Sequence, residues 1–574
     1  MKGLKSSLKF LFKYTKGNKR NFILVVLISI VSITLNILIP IISAKQLVYL
    51  TQNNLDSLFN VTVLLMVLVC GSTTVWILYR MLYNFIYYGT YYNLCTTLAR
   101  DILRIETKVM DESGSGLFIQ RLMDDTSKVS SKVTTILEAI SNILKQLGVF
   151  IAIFIISPLV FGVVLFFKTI EFILESKNEE LEKKDDKVCR AAKEKVTSMI
   201  SELVRGSSDI KMLNSEPSFL NEYDSRIKEA NRTELKKYNC KWGRRLFTWN
   251  IWNVFDCLQM ILIIYLLKYN VLSSVVAVIL YNYIDRLESS IYFISELLES
   301  VVDLNLSVER IKDIMEGDKF KKESFGTKHI DKVNGDFEFK NVSFKYDKNL
   351  VLNNINFKIN ANETVAFVGK SGAGKTTIFN LLTKLYDVKS GTITIDGINI
   401  KELDKDSIRG NITIISQNPY IFNMSIKDNL KIVKPDITMK EIKEVCKIAC
   451  LDEFIDSLPD KYNTVIGEGG VNLSGGQKQR LAIARALIQK TEIILFDEAT
   501  SALDNETQTK ITEAINNMKG EYTILIVAHR LSTIKNANKI FFINDGKVEK
   551  EGTFDELMKK CKGFKELYES EIIK

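Results

Sequence analysis

The sequence predicts a multi-domain membrane protein, in which an all-α transmembrane domain of six helices is followed by a soluble α/β domain. Two observations support this division of the 574 residues. Long apolar runs occur in the first part of the chain, and patterns typical of alternating strands and helices occur in the second. We place the transmembrane domain at residues 1–315, a polar linker at 316–335 and the soluble domain at 336–574.

Six apolar segments are long enough to cross a bilayer, which takes about 20 residues of helix for a hydrocarbon layer of about 30 Å. The first segment follows a basic stretch, as a secretory signal peptide does. It is longer than the apolar core of a signal peptide and no convincing cleavage site follows it, which favours a retained span. The predicted spans lie near residues 21–43, 58–82, 135–156, 158–178, 247–268 and 271–294.

The formal net charge of +9 does not indicate a nucleic-acid partner, because Lys and Arg are distributed as in a membrane protein. Residues 1–20 contain seven Lys or Arg and no Asp or Glu, and the long connections 83–134 and 179–246 are also rich in Lys and Arg. The short connections contain few. Since basic loops stay on the cytoplasmic side, we expect both termini and the soluble domain to be cytoplasmic.

The long connections are predicted to contain helices that continue from the spans, because residues 93–110 and 194–214 have apolar residues at helical spacing. Between these helices, residues 110–125 and 209–226 interrupt the pattern with Gly, Ser and Pro. Two interpretations remain open for these tips. They are either docking segments for another domain or solvated loops.

Several ionisable residues fall within or beside the predicted spans. A charge buried in hydrocarbon costs several kcal/mol, so these side chains should face one another or a watery cavity. They are either structural ion pairs, such as Lys168 with Glu171 three residues later, or part of a polar substrate pathway. The set consists of Lys145, Lys168, Glu171, Asp256, Asp285 and Arg286.

The segment "GKSGAGKTT" at 369–377 predicts a phosphate-binding loop, because an apolar strand at 364–369 leads into it and a helix follows. Glycines let backbone amides turn toward phosphate oxygens, and the helix N-terminus adds positive potential. Lys375 supplies a charge to the outer phosphates, and Thr376 supplies a hydroxyl for Mg²⁺. The soluble part is therefore predicted to be an α/β P-loop nucleotide-binding domain. The predicted phosphate contacts are Gly369, Ser371, Gly372, Gly374, Lys375, Thr376 and Thr377.

Two further apolar strands end in residues suited to hydrolysis. "EIILFDEATSALD" at 492–504 places Asp497 where a metal-binding acid is needed and Glu498 where a carboxylate could polarise water. "YTILIVAHR" at 522–530 contains His529 just after its apolar run. Because parallel strands gather their carboxyl ends at one edge of a sheet, we expect these residues beside the glycine loop.

With these motifs in order, the chain resembles ATP-binding cassette (ABC) half-transporters of the exporter type over almost its whole length. The resemblance depends on "GKSGAGKTT", "SQNPYIF" at 416–422, "LSGGQ" at 473–477, "ILFDEATSALD" and "AHRLST". It implies six spans followed by one nucleotide-binding domain, with ATP and Mg²⁺ as cofactors.

The resemblance also implies that the LSGGQ turn faces the glycine loop of a second subunit, so that ATP is held between two chains. The partner is a second copy of this chain or a related half-transporter. In that arrangement Ser474, Gly475, Gly476 and Gln477 contact nucleotide held by the partner's loop. The resemblance further assigns Tyr346 to adenine stacking, Gln417 to metal and water, His529 to the γ-phosphate and Asp504 to the subunit seam.

Two positions depart from the family pattern: Ser416 stands where proline is frequent, and Gly469 stands where arginine is frequent. The resemblance implies ATP-driven efflux of an amphipathic peptide, drug or lipid across the plasma membrane by alternating access. Alternatives are an importer with the exporter fold, for instance for a siderophore, and an ATP-gated channel or regulator. A soluble ABC ATPase acting on nucleic acid conflicts with the predicted spans.

Overall fold

The computed structural model describes residues 2–14, 19–287, 290–346, 349–467, 470–497, 505–517, 520–527 and 534–572. The chain forms two compact units. The first comprises residues 1–103 and 116–319, and the second comprises residues 104–115 and 320–574. The short segment 104–115 thus packs with the second unit, although it lies inside the range predicted for the transmembrane domain.

The described residues up to Met315 form helices that are joined by short connections. Residues Arg121–Asp125 form one π-helical turn between two α-helices. The helices are α1 Lys2–Tyr14, α2 Lys19–Thr51, α3 Leu55–Ile102, α4 Thr107–Ser113, α5 Ser115–Gln120, α6 Thr126–Ile156, α7 Pro158–Arg205, α8 Ser207–Met212, α9 Glu216–Lys268, α10 Ser274–Arg286 and α11 Ser290–Met315.

Four helical stretches of the described chain are long and apolar enough to cross a membrane: Lys19–Thr51, Leu55–Ile102, Ser115–Ile156 and Glu216–Lys268. They contain four of the six predicted spans. The other two predicted spans do not meet the same standard, so the count of six helices is not confirmed. The apolar end of α7 contains three charged residues, and α10 has only 13 residues. Charged residues lower the mean hydropathy of the apolar end of α7, and α10 is too short to cross a bilayer by itself.

The core of the first unit lies where α2, α6, α7, α9 and α10 meet. Val149, Ile153, Val164 and Leu280 are completely buried there. Tyr283 is also buried, and its hydroxyl donates a hydrogen bond of 2.9 Å to the backbone oxygen of Ile37. Because the polar tip of Tyr283 is satisfied, its ring can fill the core without the cost of an unpaired hydroxyl.

The structure shows an ion pair between Lys168 and Glu171 inside α7. The two side chains are 2.9 Å apart and retain only 8% and 1% exposure. Helical spacing of three residues places them on one face. The ion-pair interpretation of Lys168 is therefore confirmed, and the substrate-pathway interpretation now applies to other residues of the predicted set.

We expect Lys168→Leu to lower the thermal stability of the purified protein more than the double substitution Lys168→Leu/Glu171→Leu. Removing one partner of a buried pair leaves an uncompensated charge, which costs about 3–5 kcal/mol, whereas an apolar replacement of both partners is often neutral. The measurement is the midpoint of thermal unfolding in lipid nanodiscs. Lys184→Leu is the control on the same helix, because the Lys184–Glu180 pair is exposed. A double variant no more stable than the single one would contradict this account.

The second unit contains the α/β part of the chain. Its strands are β1 Phe337–Lys345, β2 Leu350–Ile359, β3 Thr364–Val368, β4 Ser390–Ile395, β5 Ile398–Asn399, β6 Ile412–Ile415, β7 Met424–Ser425, β8 Val465–Ile466, β9 Ile493–Asp497, β10 Thr523–Val527, β11 Lys539–Asn544 and β12 Lys547–Gly552. Its helices after α4 are α12 Lys375–Leu382, α13 Lys405–Arg409, α14 Ile426–Lys431, α15 Met439–Ile448, α16 Asp452–Ser457, α17 Gly475–Gln489, α18 Asn505–Asn517, α19 Phe554–Lys560 and α20 Lys562–Ile572. Lys461–Asn463 form a 3₁₀ turn.

The larger sheet has six strands in the order β12-β11-β3-β10-β9-β6. Its neighbours from β11 to β6 are parallel, and only β12 pairs antiparallel. The three strands predicted to share a functional edge, β3, β10 and β9, are adjacent. Every residue of these three strands is buried, which is typical of parallel strands covered on both faces. The prediction of an α/β domain is confirmed.

A second, antiparallel sheet with the order β2-β1-β4-β5 packs beside the first through an aromatic core. The rings of Phe367 and Phe541 stack with centroids 5.6 Å apart. Phe357 contacts both rings, and Phe379 of α12 meets Phe367 edge to face. This cluster packs around β3 just before the glycine loop begins.

Candidate nucleotide-binding site

The glycine loop connects β3 to α12, as predicted. Gly372 and Gly374 have φ values of +80° and +97°, a region that side chains with a Cβ rarely adopt. A Cβ on Gly374 would lie 2.5 Å from Cδ2 of Leu352, and one on Gly369 would lie 2.2 Å from the backbone oxygen of Ile543. Only glycine therefore allows this close turn at the N-terminus of α12, and backbone amides at a helix N-terminus commonly bind anions.

Lys375 lies folded over the loop and is 5% exposed. Its Nζ donates hydrogen bonds of 2.8 Å to the backbone oxygen of Gly369 and 3.0 Å to that of Lys370. The ammonium group is thus held inside the turn that the sequence predicts to surround phosphates. An ammonium in this position can make charge-assisted hydrogen bonds to phosphate oxygens.

The hydroxyl of Thr376 donates a hydrogen bond of 3.0 Å to Oδ1 of Asp497. Asp497 is the last residue of β9 and is 6% exposed. The structure thus brings together two of the three groups predicted to be metal ligands, and the metal role of the third, Gln417, stays a prediction. Hard oxygen donors fit Mg²⁺, which typically takes one or two protein oxygens and completes its octahedron with water and phosphate. The described residues contain no group of three or more His, Cys, Asp or Glu side chains that could hold a metal ion.

Tyr346 follows β1 and reaches the same loop. Its hydroxyl lies 3.2 Å from Oγ1 of Thr377, and Asn380 donates a hydrogen bond of 3.2 Å to it. Its ring meets Tyr386 edge to face, with centroids 5.0 Å apart. The aromatic residue predicted to contact adenine is therefore placed beside the phosphate loop.

Sequence reasoning missed Lys108 and Asp111, which contact Tyr346 and its neighbour Tyr386. Within the second unit, Nζ of Lys108 donates a hydrogen bond of 2.9 Å to the backbone oxygen of Tyr346. The hydroxyl of Tyr386 donates one of 2.9 Å to Asp111. Burial, and then this hydrogen bond, raise the pKa of Tyr386 above its ordinary value. Lys108 and Asp111 belong to α4, which starts at Thr107, three residues before the tip predicted at 110–125. The first part of that tip is therefore a helix that packs with the second unit.

The LSGGQ turn caps α17. The hydroxyl of Ser474 accepts a hydrogen bond of 3.2 Å from the backbone amide of Gln477, and Oε1 of Gln477 accepts one of 2.8 Å from the amide of Ser474. This reciprocal capping box fixes the start of the helix. Ser474 and Gly475 are exposed. Within the described part of the chain, no hydrogen bond or ion pair connects the turn to residues 369–377.

Helix α17 is attached to the segment that contains Gln417. Gln479 donates a hydrogen bond of 3.3 Å to the backbone oxygen of Gln417, and Arg485 donates one of 2.7 Å to that of Tyr420. Burial lowers the pKa of Arg485 below its ordinary value. Neither Gln479 nor Arg485 was predicted. Their signal in the sequence is weak, because both look like ordinary polar residues of a helix.

Three residues with predicted functions lie outside the described residues: Glu498, Asp504 and His529. Gly469, which departs from the family pattern, also lies outside them. The strands that precede Glu498 and His529 are in register, since Asp497 of β9 pairs with Val527 of β10. The roles of Glu498, Asp504 and His529 stay predictions.

The fold and this loop define a membrane protein with an attached nucleotide-binding domain. Residues 22–284 match the family model described as "ABC transporter transmembrane region", and residues 352–501 match the one described as "ABC transporter". The chain belongs to the ABC transporter family.

Similar proteins come from bacteria and from a eukaryote. The chain is 44% identical over 246 residues to the ATP-dependent lipid A-core flippase of Haemophilus influenzae, which is 42% of each chain. It is 33% identical over 528 residues to ABC transporter B family member 1 of Dictyostelium discoideum, which is 89% of this chain and 56% of the other. The matches thus span about half the length of these two relatives.

The structure is similar to the solved structure of a bacterial Atm1-family ABC exporter with ATP bound. The TM-score is 0.82 at 21% identity, and the similarity covers 96% of this chain and 98% of the other. The chain therefore has the fold of an ABC exporter.

Proposed function

We propose that this chain pairs with a second copy, or with a related half-transporter, and uses ATP hydrolysis to export an amphipathic substrate by alternating access. One observation carries the proposal. The domain has two glycine-rich turns that are predicted to bind phosphate, of which the Lys375 loop is assembled with Thr376 and Asp497. The other, at Ser474, is exposed and makes no bond to that loop among the described residues. An exposed second turn is what a site shared between two chains requires.

In the proposed site, the backbone amides of the loop and Lys375 bind the phosphates of ATP. Thr376 and Asp497 would hold Mg²⁺, which when bound supplies positive charge against the outer phosphates. Glu498 directs water toward the γ-phosphate, and His529 and Gln417 contact the γ-phosphate and the water. Ser474 and Gly476 of the partner chain close the site over the same phosphate.

The same geometry couples hydrolysis to movement. The partner's turn binds the γ-phosphate only while ATP is intact, so hydrolysis removes contacts that hold the two domains together. A ligand shifts a conformational equilibrium only through such a difference in affinity between states. Helix α4, bonded to Tyr346 and Tyr386 beside the nucleotide loop, supports transmission of this change to the helices that flank it.

We also propose a plasma-membrane location with both termini and the nucleotide-binding domain in the cytoplasm. The basic residues of the N-terminal segment and of the long connections support this orientation. The name of the Haemophilus relative, a lipid flippase, supports an amphipathic substrate. Accumulation of such a substrate in inside-out vesicles with ATP would separate export from import.

Two matched heterodimers test whether the sites are shared. In the first, one chain carries Lys375→Ala and the other Ser474→Arg, which places both defects in one shared site and leaves the second site intact. We expect about half of the wild-type ATPase activity, although each homodimer is inactive. The measurement is ATP hydrolysis by dual-tagged heterodimers in lipid nanodiscs.

In the second heterodimer, one chain carries both substitutions and the other is wild type. If sites are shared, each site then has one defect and activity is lost. If each chain hydrolyses ATP alone, the results are reversed: the second heterodimer is active and the first inactive. That reversal would overturn the proposed function.

A further inference from the structure

A cavity of about 1060 Å³ in the first unit has a composition that points to its ligand. It is lined by residues of α6, α7, α9, α10 and α11. Eight carboxylate side chains and five cationic ones face it, together with the aromatic residues Trp249, Trp252 and Tyr292. A cavity of this size accommodates a drug-sized organic molecule.

Ion pairs do not remove the excess of carboxylates. Arg245 and Lys241 neutralise Glu175 and Glu182, with closest distances of 2.8 and 3.0 Å. Two further lining residues are neutralised by partners outside the wall: Lys132 pairs with Asp303, and Asp186 pairs with Lys237. Four further lining carboxylates have no ion pair within 4.0 Å in the described part of the chain: Glu179, Asp285, Glu296 and Glu299.

Two lining cations, Lys183 and Arg286, also lack an ion pair among the described residues, so four unpaired carboxylates face two unpaired cations. The guanidinium of Arg286 donates a hydrogen bond to the side chain of Asn36. The excess of negative charge over positive charge therefore survives the pairing. Carboxylates in a partly enclosed space raise the local concentration of cations and repel anions.

Buried polar atoms in the wall provide a second, independent observation. Oε2 of Glu175 is buried and accepts no hydrogen bond among the described residues, although the other oxygen of this side chain pairs with Arg245. Nε1 of Trp252 is buried and donates no hydrogen bond within the part of the chain that the structure describes. Unsatisfied buried groups are costly in a folded protein, and a ligand with a complementary polar group would remove that cost.

The aromatic residues complete the chemistry. The side chains of Trp249 and Tyr292 are 46% and 64% exposed. Indole and phenol faces attract cations through their quadrupole and offer apolar area to an organic body. Negative charge and aromatic faces in one cavity favour the same class of molecule.

We propose that this cavity binds an amphipathic organic cation, and that such cations are the substrates of the export proposed above. The inference rests on that proposed function for transport, and on the cavity alone for binding. Anionic amphiphiles of the same shape are excluded by the same carboxylates.

Tetraphenylphosphonium and tetraphenylborate test this selectivity, because they have nearly the same shape and opposite charge. With the protein in lipid nanodiscs, we expect tetraphenylphosphonium to bind in equilibrium dialysis and to stimulate ATP hydrolysis. We expect tetraphenylborate to do neither. Equal effects of the two ions, or no binding of tetraphenylphosphonium, would overturn the inference.

A pair of variants tests whether the cavity carboxylates are responsible. Glu296→Gln/Glu299→Gln should raise the half-maximal concentration of tetraphenylphosphonium about tenfold and leave basal hydrolysis unchanged. Glu309→Gln/Asp313→Asn is the matched control, because both residues are exposed on the same helix outside the cavity. A control that shifts as much as the cavity variant would also overturn the inference. Absence of basal hydrolysis in the wild type, with selective binding retained, would count against the proposed function instead.

Discussion

Lys375→Ala is expected to lower kcat for ATP hydrolysis by about 10²–10³-fold, the loss typical of removing one preorganised group that stabilises developing charge. The Lys375 ammonium lies inside the glycine loop, where it is 5% exposed and bonded to two backbone oxygens. The loop holds this positive charge beside the proposed phosphate site, and alanine cannot replace it. The measurement is steady-state ATPase activity of the purified homodimer in lipid nanodiscs.

Lys370→Ala is the control for this prediction. Lys370 belongs to the same loop but is exposed, and only its backbone oxygen contacts Lys375. We expect its activity to stay within a small factor of the wild type, since removal of an exposed charge leaves the loop intact. Equal losses in the two variants would mean that the general charge of the loop, rather than the placement of Lys375, supports hydrolysis.

Phe367→Ala is expected to destabilise the nucleotide-binding domain by about 3–5 kcal/mol, because the cavity left by a buried ring is only partly refilled. Phe367 is a completely buried residue of β3, where it stacks on Phe541 and contacts Phe379. The effect should appear as amide hydrogen exchange accelerated about 10²–10⁴-fold in peptides of β3, β9 and β10.

Leu350→Ala provides the comparison in the same domain. Leu350 is at the start of β2 and is 55% exposed, so its truncation removes little buried surface. Hydrogen exchange in the three central strands should stay close to the wild type. If Phe367→Ala left exchange unchanged as well, the aromatic cluster would not be the part of the core that stabilises the site.

The nucleotide site was largely predictable because its residues are close together in sequence or end adjacent strands. The glycines, Lys375 and Thr376 belong to one loop whose backbone geometry requires that order of residues. Asp497 was predictable because a parallel sheet gathers the carboxyl ends of its strands at one edge, and β9 and β3 do lie one strand apart. In both cases, local chemistry and a general rule of sheet topology are sufficient.

The membrane part was less predictable, because hydropathy does not distinguish charge that is paired from charge that is exposed. Lys168 and Glu171 reduced the apparent hydropathy of α7 and left two interpretations open, which the 2.9 Å contact decided. The excess of carboxylates around the cavity arises from five helices that are distant in sequence. No window of the sequence contains that information.

By itself, the sequence determined the two-part architecture, the ABC family and the glycine loop between β3 and α12, because each is encoded by hydropathy or by a contiguous motif. Only the tertiary structure decided that α4 supports Tyr346 through Lys108 and Asp111, and which ionisable residues are paired and which line a cavity. The physical reason is that ion pairs and cavity walls depend on distances of a few ångströms between distant parts of the chain. Those distances follow from packing, which the order of residues along the chain does not display.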